Sequence, residues 1–200
     1  MSSLFRIPVI GLTGGIASGK STVSKFFREK AGIPVIDADQ IARDLSRPGG
    51  KAAAQIEARF GTLDRAELRK KIFSNAIARH ELEAILHPLI IQESKERIAQ
   101  FADAGARVAI YEAALLVETS RYRDLDGLIV VEAPIDQRIT RLMERDGTTR
   151  ELALSMIQAQ ATDSEREKVA TLLIQNDGSL EDLEAKITPS LLDASLSRQE

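Results

Sequence analysis

IPVIGLTGGIASGKSTV, residues 7–23, decides the fold. Ile7, Val9, Ile10 and Leu12 make a short apolar run that reads as a buried strand. Gly14-Gly15-Ile16-Ala17-Ser18-Gly19-Lys20-Ser21 follows and fits G-x-x-x-x-G-K-[ST], the phosphate-binding loop that joins a strand to a helix. At average residue usage those fixed positions arise by chance in on the order of 1% of chains this long. The flanking strand and helix reduce that further, against the alternative of a glycine-rich turn with a solvated lysine. The glycines let backbone N–H groups approach an anion closely, and the helix that follows adds its dipole. The nucleotide-binding set is therefore Gly15, Ile16, Ala17, Ser18, Gly19, Lys20, Ser21 and Thr22. Lys20 is expected on the β- and γ-phosphates of a nucleoside triphosphate and the Ser21 hydroxyl on Mg²⁺.

Outward from this loop, the pattern is α/β. A helix is expected over 20–30, a second strand over 33–37 and a helix from Gln40 to Leu45, ended by Pro48-Gly49-Gly50. Residues 51–104 carry helical spacing without a convincing strand. Strand character returns over 107–111 and 125–132, with a last candidate over 169–174. Ser179 and Asp182 have the spacing of a cap for a C-terminal helix, which Pro189 would interrupt before a frayed end. The expected organisation is one domain of P-loop type, a parallel sheet flanked by helices. Residues 7–50 and 105–200 would form the nucleotide core, 51–104 a helical acceptor subdomain and 135–162 a lid.

Composition narrows the classes. The 200 residues suit one sizeable core, and the net charge of −3 favours neither nucleic acid nor an anionic membrane as a partner. The chain has no cysteine, so disulfides and thiolate metal sites are excluded. The apolar stretch before Thr13-Gly14 is too short for a signal peptide, and no run is long enough to cross a bilayer, so a cytoplasmic protein is expected.

A guanine-reading N-K-x-D segment is absent from the sequence, which directs attention from switches to kinases. A kinase needs an acid near the acceptor hydroxyl and cations around the transferred phosphoryl group. Asp37 and Asp39 end the second strand, where open α/β sheets hold their ligands, and a strand period of two would point them the same way. Asp39 is the stronger candidate; its alternative is a plain N-cap of the Gln40 helix. Arg138, Arg141 and Arg145 share one helical stripe leading into Gly147 and a second helix with Arg150. Arg141 and Arg145 are read as lid cations over the phosphates, and Arg138 as part of a solvated face. His87-Pro88 within a helical pattern reads, on its own, as a structural kink.

Together these segments resemble the dephospho-CoA kinase family over nearly the whole chain. The resemblance rests on IGLTGGIASGKSTV (10–23), VIDADQIAR (35–43), LDRAELRKKIF (63–73), LEAILHPLI (82–90), LLVE (115–118), RLMERDGTTRE (141–151) and IQN (174–176). It implies transfer of the ATP γ-phosphoryl group to the ribose 3′-hydroxyl of dephospho-CoA, with Mg²⁺. It further implies Asp39 as the group on that hydroxyl, Arg65, Arg69 and His87 on the acceptor side, and Asn176 near the adenine. Lys20, Asp39 and Arg141 form the catalytic set. Departures are Ala114 where the family has proline, Thr171 where it has aspartate, and a short loop over 60–65. The first two bring a nucleotide-binding regulator into view as a rival; a P-loop kinase of a nucleoside monophosphate is the other.

Overall fold

A computed structural model describes residues 5–73 and 75–187; the expected interruption at Pro189 and the frayed end lie outside them. The chain divides into two compact units, residues 1–36 with 101–200, and residues 37–100.

The first unit is built on a five-stranded sheet of order β2-β3-β1-β4-β5. Its strands are β1 (Val9–Gly14), β2 (Val35–Asp37), β3 (Ala109–Glu112), β4 (Gly127–Glu132) and β5 (Leu172–Gln175). β1 pairs in parallel with β3 and β4, and β4 in parallel with β5. Every residue of β1, β3 and β4 is buried, as expected of central parallel strands covered on both faces. Helix α1 (Lys20–Glu29) buries Val23 and Phe27 in a cluster with Ile10, Leu12, Ile110 and Ile129. The order places β1 at the sheet's centre, with β2 and β3 on one side and β4 and β5 on the other, so the loop after β1 lies at the carboxyl end of the central strand, where open α/β sheets hold their ligands.

Thr171, one of the departures, has a local role at the start of the β4–β5 ladder. Its hydroxyl accepts the Leu128 amide at 3.0 Å and its own amide donates to the Leu128 carbonyl at 2.8 Å. Ala114 keeps the contact available to any residue there, its carbonyl accepting from the Thr13 hydroxyl at 3.2 Å. The Ser179–Asp182 capping box forms as expected, opening α9 (Leu180–Lys186).

The second unit is helical: α2 (Ala38–Ser46), α3 (Ala53–Phe60), α4 (Arg65–Phe73) and most of α5 (Ala76–Asp103). Ala38, Ile41 and Leu45 of α2 and Ala53, Ile56 and Phe60 of α3 recur at i, i+3 and i+7, and these faces are buried as the two helices pack together. That contact groups α2 with the helical unit, whereas the sequence spacing suggested a boundary near residue 50. The unit opens with a second difference. Helix geometry begins at Ala38, so Asp37 and Asp39 do not share the face that an extended backbone would give them. Asp37 is the N-cap, its carboxylate accepting the Gln40 amide at 2.7 Å, and Asp39 lies in the first turn. Pro88 does not end α5: the carbonyl four residues earlier, on exposed Ala84, loses its amide donor where water can replace it.

Candidate active site

The loop between β1 and α1 shows why its glycines are needed. A Cβ on Gly14 would meet the Ser18 hydroxyl at 2.6 Å as well as the Val131 carbonyl. Gly19 has φ 97°, and a Cβ there would collide with the Asn176 amide. Ala17 takes a left-handed φ of 62° without being glycine, a strained conformation held by its surroundings.

Those surroundings are specific. Arg138 Nε donates to the Ile16 carbonyl at 3.0 Å, Arg141 Nη1 to the Ala17 carbonyl at 3.2 Å, and Asn176 Nδ2 to the Ser18 carbonyl at 2.8 Å. Three successive carbonyls are thus drawn outward by side chains. Because a trans peptide sets N–H opposite C=O, the amides of Ala17 and Gly19 turn the other way. The Ser18 amide is used internally, donating to the Gly15 carbonyl at 3.0 Å, and the Ile16 amide donates to Gln160 Oε1 at 2.7 Å. α1 then begins at Lys20 with no acidic residue in its first turn and no side-chain cap, leaving the Lys20 and Ser21 amides open to an anion while the Thr22 amide donates to the Gly19 carbonyl at 2.9 Å.

The predicted solvated role of Arg138 is overturned. It is only 2% exposed, and it lies so near Gly15 that a Cβ there would strike it. Asp163 bridges it to Arg166, accepting from Arg138 at 3.0 Å and pairing with Arg166. Burial lowers the Arg138 pKa, and the neighbouring Asp163 carboxylate opposes the shift. The physical reason for the correction is the packing of α6 (Ile135–Asp146). Ile139 and Leu142 join Ala153 and Ile157 of α7 (Arg150–Gln158) in a cluster against Ile16 and Ala17. The helical stripe faces the loop rather than solvent at its first two positions. Arg145, one turn on, is exposed and forms a two-pronged pair with Asp146, each contact 2.7 Å.

Lys20 reaches Glu112 at the end of β3, Nζ to Oε1 2.6 Å, and the other Glu112 oxygen accepts the Ser24 hydroxyl at 2.5 Å. Both charged side chains are largely buried. Glu112 is absent from the sequence-derived candidates, although a signal exists. Three β-prone residues, Val108, Ile110 and Tyr111, are followed at once by an acid, the outline of a strand delivering a carboxylate beside the phosphate loop. Ser21 is exposed at the start of α1 and Thr22 is half-buried.

In the helical unit, Asp39, Arg65 and Arg69 line one cavity of about 690 Å³. Ala42, Leu63, Leu68, Ile72 and Leu82 supply apolar wall, and Arg43 and Arg47 add two further cations. Arg43 is tethered, donating through Nε and Nη2 to Gln40 Oε1 at 2.9 and 2.7 Å. His87 is half-buried on α5 and does not line this cavity.

The comparisons with known proteins agree with one another. A family model described as dephospho-CoA kinase matches residues 8–182. A dephospho-CoA kinase of Corynebacterium glutamicum is 42% identical over 185 residues, 88% of this chain and 92% of the relative. That of Thiobacillus denitrificans is 44% identical over 180 residues, 86% of this chain and 87% of the relative. Among solved structures, TT1252 from Thermus thermophilus is similar with a TM-score of 0.80 and 34% identity, over 97% of this chain and 98% of that one. Dephospho-CoA kinase from Campylobacter jejuni follows at TM-score 0.67 and 25% identity, over 95% and 98%. Shikimate kinase from Acinetobacter baumannii, at TM-score 0.55 and 18% identity over 94% of each chain, shares the fold.

Proposed function

The chain belongs to the dephospho-CoA kinase family, whose reaction phosphorylates dephospho-CoA with ATP in the final step of coenzyme A synthesis, and on that premise we propose how its residues divide the work. The phosphate chain of ATP lies in the loop from Gly15 to Thr22, on inward amides and the N-terminus of α1. Lys20 exchanges Glu112 for the β- and γ-phosphate oxygens. Arg141, already at the loop, supplies positive charge to the transferred phosphoryl group, and Arg145 does so after leaving Asp146.

Mg²⁺ fits the donors present. This cation binds through one or two protein oxygens together with substrate phosphates, and the Ser21 hydroxyl and Glu112 carboxylate form such a set. No group of three or more acidic, histidine or cysteine side chains suited to a metal occurs among the described residues, so the metal would arrive with the nucleotide. When bound, it neutralises charge on the β- and γ-phosphates.

Asp39 receives or orients the proton of the ribose 3′-hydroxyl, and Arg65 and Arg69 hold the acceptor, with His87 as a further acceptor-side group. The observation that carries this reading is that Asp39, read from its place after the second strand, and Arg65 and Arg69, implied by the family resemblance, line a single cavity. Asn176 serves the nucleotide through the loop carbonyl it holds. No helix among the described residues is long and apolar enough to cross a membrane, and we assign the enzyme to the cytoplasm as the compartment of its ATP.

The test is ADP release with Mg-ATP in the presence of dephospho-CoA, AMP, CMP, dTMP or no acceptor, with product mass recorded. One added phosphoryl group on dephospho-CoA alone is expected. Transfer to a monophosphate instead would overturn the acceptor assignment, and ATP binding without any transfer would overturn the kinase.

A further inference from the structure

Arg47, Arg65 and Arg69 stand out among the cations of the helical unit. They line one cavity, yet their side chains have no hydrogen bond or ion pair among the described residues. Arg43, on the same wall, is held by Gln40 and Asp37. The cavity wall thus carries four arginines against one carboxylate, Asp39, in a chain whose net charge is −3. Unpaired surface arginines are ordinary when scattered along one helix. Here they come from two elements. Arg65 and Arg69 share a face of α4 at i and i+4, whereas Arg47 leaves the C-terminal end of α2. Pro48 restricts Arg47 to extended backbone, observed at φ −69° and ψ 160°, which fixes the direction in which its side chain departs. Like charges that outnumber the one carboxylate beside them repel one another, so an anion bound among them is stabilised by each.

We propose that Arg47 joins Arg65 and Arg69 in a clamp for a diphosphate, and that Arg47 is a specificity-determining residue for acceptors that carry one. This rests on the dephospho-CoA reading, since that acceptor has a diphosphate between its adenosine and its apolar arm. Guanidinium groups bind phosphoryl oxygens in pairs, and a diphosphate offers enough oxygens to engage more than one of them. The apolar wall of Leu63, Leu68 and Leu82 accommodates the chain beyond it.

The experiment compares wild type, Arg47→Gln and Arg79→Gln, the last an exposed arginine of the same unit outside the cavity. At saturating Mg-ATP, Arg47→Gln should raise the KM for dephospho-CoA about tenfold, far more than it lowers kcat. Its KM should also respond less steeply to salt. Arg79→Gln should shift KM less than about twofold if net charge alone matters little. The arginine also complements the dipole at the end of α2, a role that would alter the melting temperature but not KM. An unchanged KM in Arg47→Gln, or an equal rise in Arg79→Gln, overturns the clamp. A second arm is independent of turnover: inorganic pyrophosphate is titrated into protein whose phosphate loop is filled with a non-hydrolysable ATP analogue. Binding weakened by Arg47→Gln and not by Arg79→Gln supports the clamp, and equal binding by all three overturns it. If wild type fails to phosphorylate dephospho-CoA, the functional reading fails on that result, while this titration still decides the clamp.

Discussion

The phosphate loop and the helical cavity treat charge in opposite ways. Around the loop the carbonyls and cations already have protein partners: three carbonyls are held by Arg138, Arg141 and Asn176, and Lys20 is paired with Glu112. In the cavity, Arg47, Arg65 and Arg69 have none among the described residues. A group that must stabilise developing charge gains most when it is already oriented, because no reorganisation is then needed at the moment of reaction. A group that only has to recognise a substrate can remain solvated until the substrate arrives. On the proposed division of work, the bracing marks where chemistry occurs and the unpaired cations mark where selection occurs.

The strongest challenge to that division removes Lys20. Lys20→Ala should lower kcat by on the order of 10³ or more, since a preorganised charge on the transferred phosphoryl group is lost. It should also destabilise the protein by about 3 kcal/mol, because Glu112 is left buried without its cation. Adding Glu112→Gln should restore the melting temperature but not the activity. Recovery of turnover in the double variant would show that the pair serves stability alone. Asp39→Asn tests the cavity side: kcat should fall by about 10²-fold with little change in ATP affinity. A change confined to ATP binding would make Asp39 a nucleotide or metal group instead.

Asn176 offers a subtler test. Asn176→Ala frees the Ser18 carbonyl and lets the Gly19 amide rotate away from the phosphates, so kcat/KM for ATP should fall by roughly 10-fold to 100-fold. Asn176→Asp should be at least as harmful, because a carboxylate cannot donate to a carbonyl. Dephospho-CoA KM measured at saturating ATP should move little in either variant. An effect of equal size on both substrates would mean that the two regions are not energetically separable.

How much of this was legible in the sequence depends on the range of the interaction involved. The loop, the order of elements and the Ser179–Asp182 cap depend on neighbours within a few residues, and their letters specify them. Asp39 is read from its place after the second strand and Arg65 and Arg69 from the family resemblance, and all three line one cavity. Arg138 was misread because spacing identifies a helical face but not what covers it; the cover is Ile16 and Ala17, more than a hundred residues away. Glu112 was overlooked because its partners, Lys20 and Ser24, become neighbours only when β3 pairs beside β1. The shared direction expected of Asp37 and Asp39 failed because the helix begins two residues before the expected Gln40. Asp37 caps so effectively that the helix starts at Ala38.

Among the groups of the braced region that lack a good match, Glu132 gives the smallest effect and the most exacting test of the comparison. Glu132 ends β4, is 6% exposed, and has one carboxylate oxygen without a partner; the other accepts from Gln175 at 3.3 Å. Burial raises its carboxyl pKa, the charges of Asp163 and Glu167 add to the shift, and Gln175 and Arg166 oppose it. The folded protein therefore holds this proton more tightly than the unfolded chain, so stability falls as pH rises through and above the ordinary carboxylate range. Glu132→Gln keeps the shape and removes the charge. Its melting temperature should match wild type in acid, where Glu132 is already neutral, and exceed it near neutrality, where the wild-type carboxylate must be held ionised in a buried site. An offset that does not vary with pH would mean that Arg138 and Arg166 already compensate the carboxylate, extending complete charge matching from the loop to the end of β4.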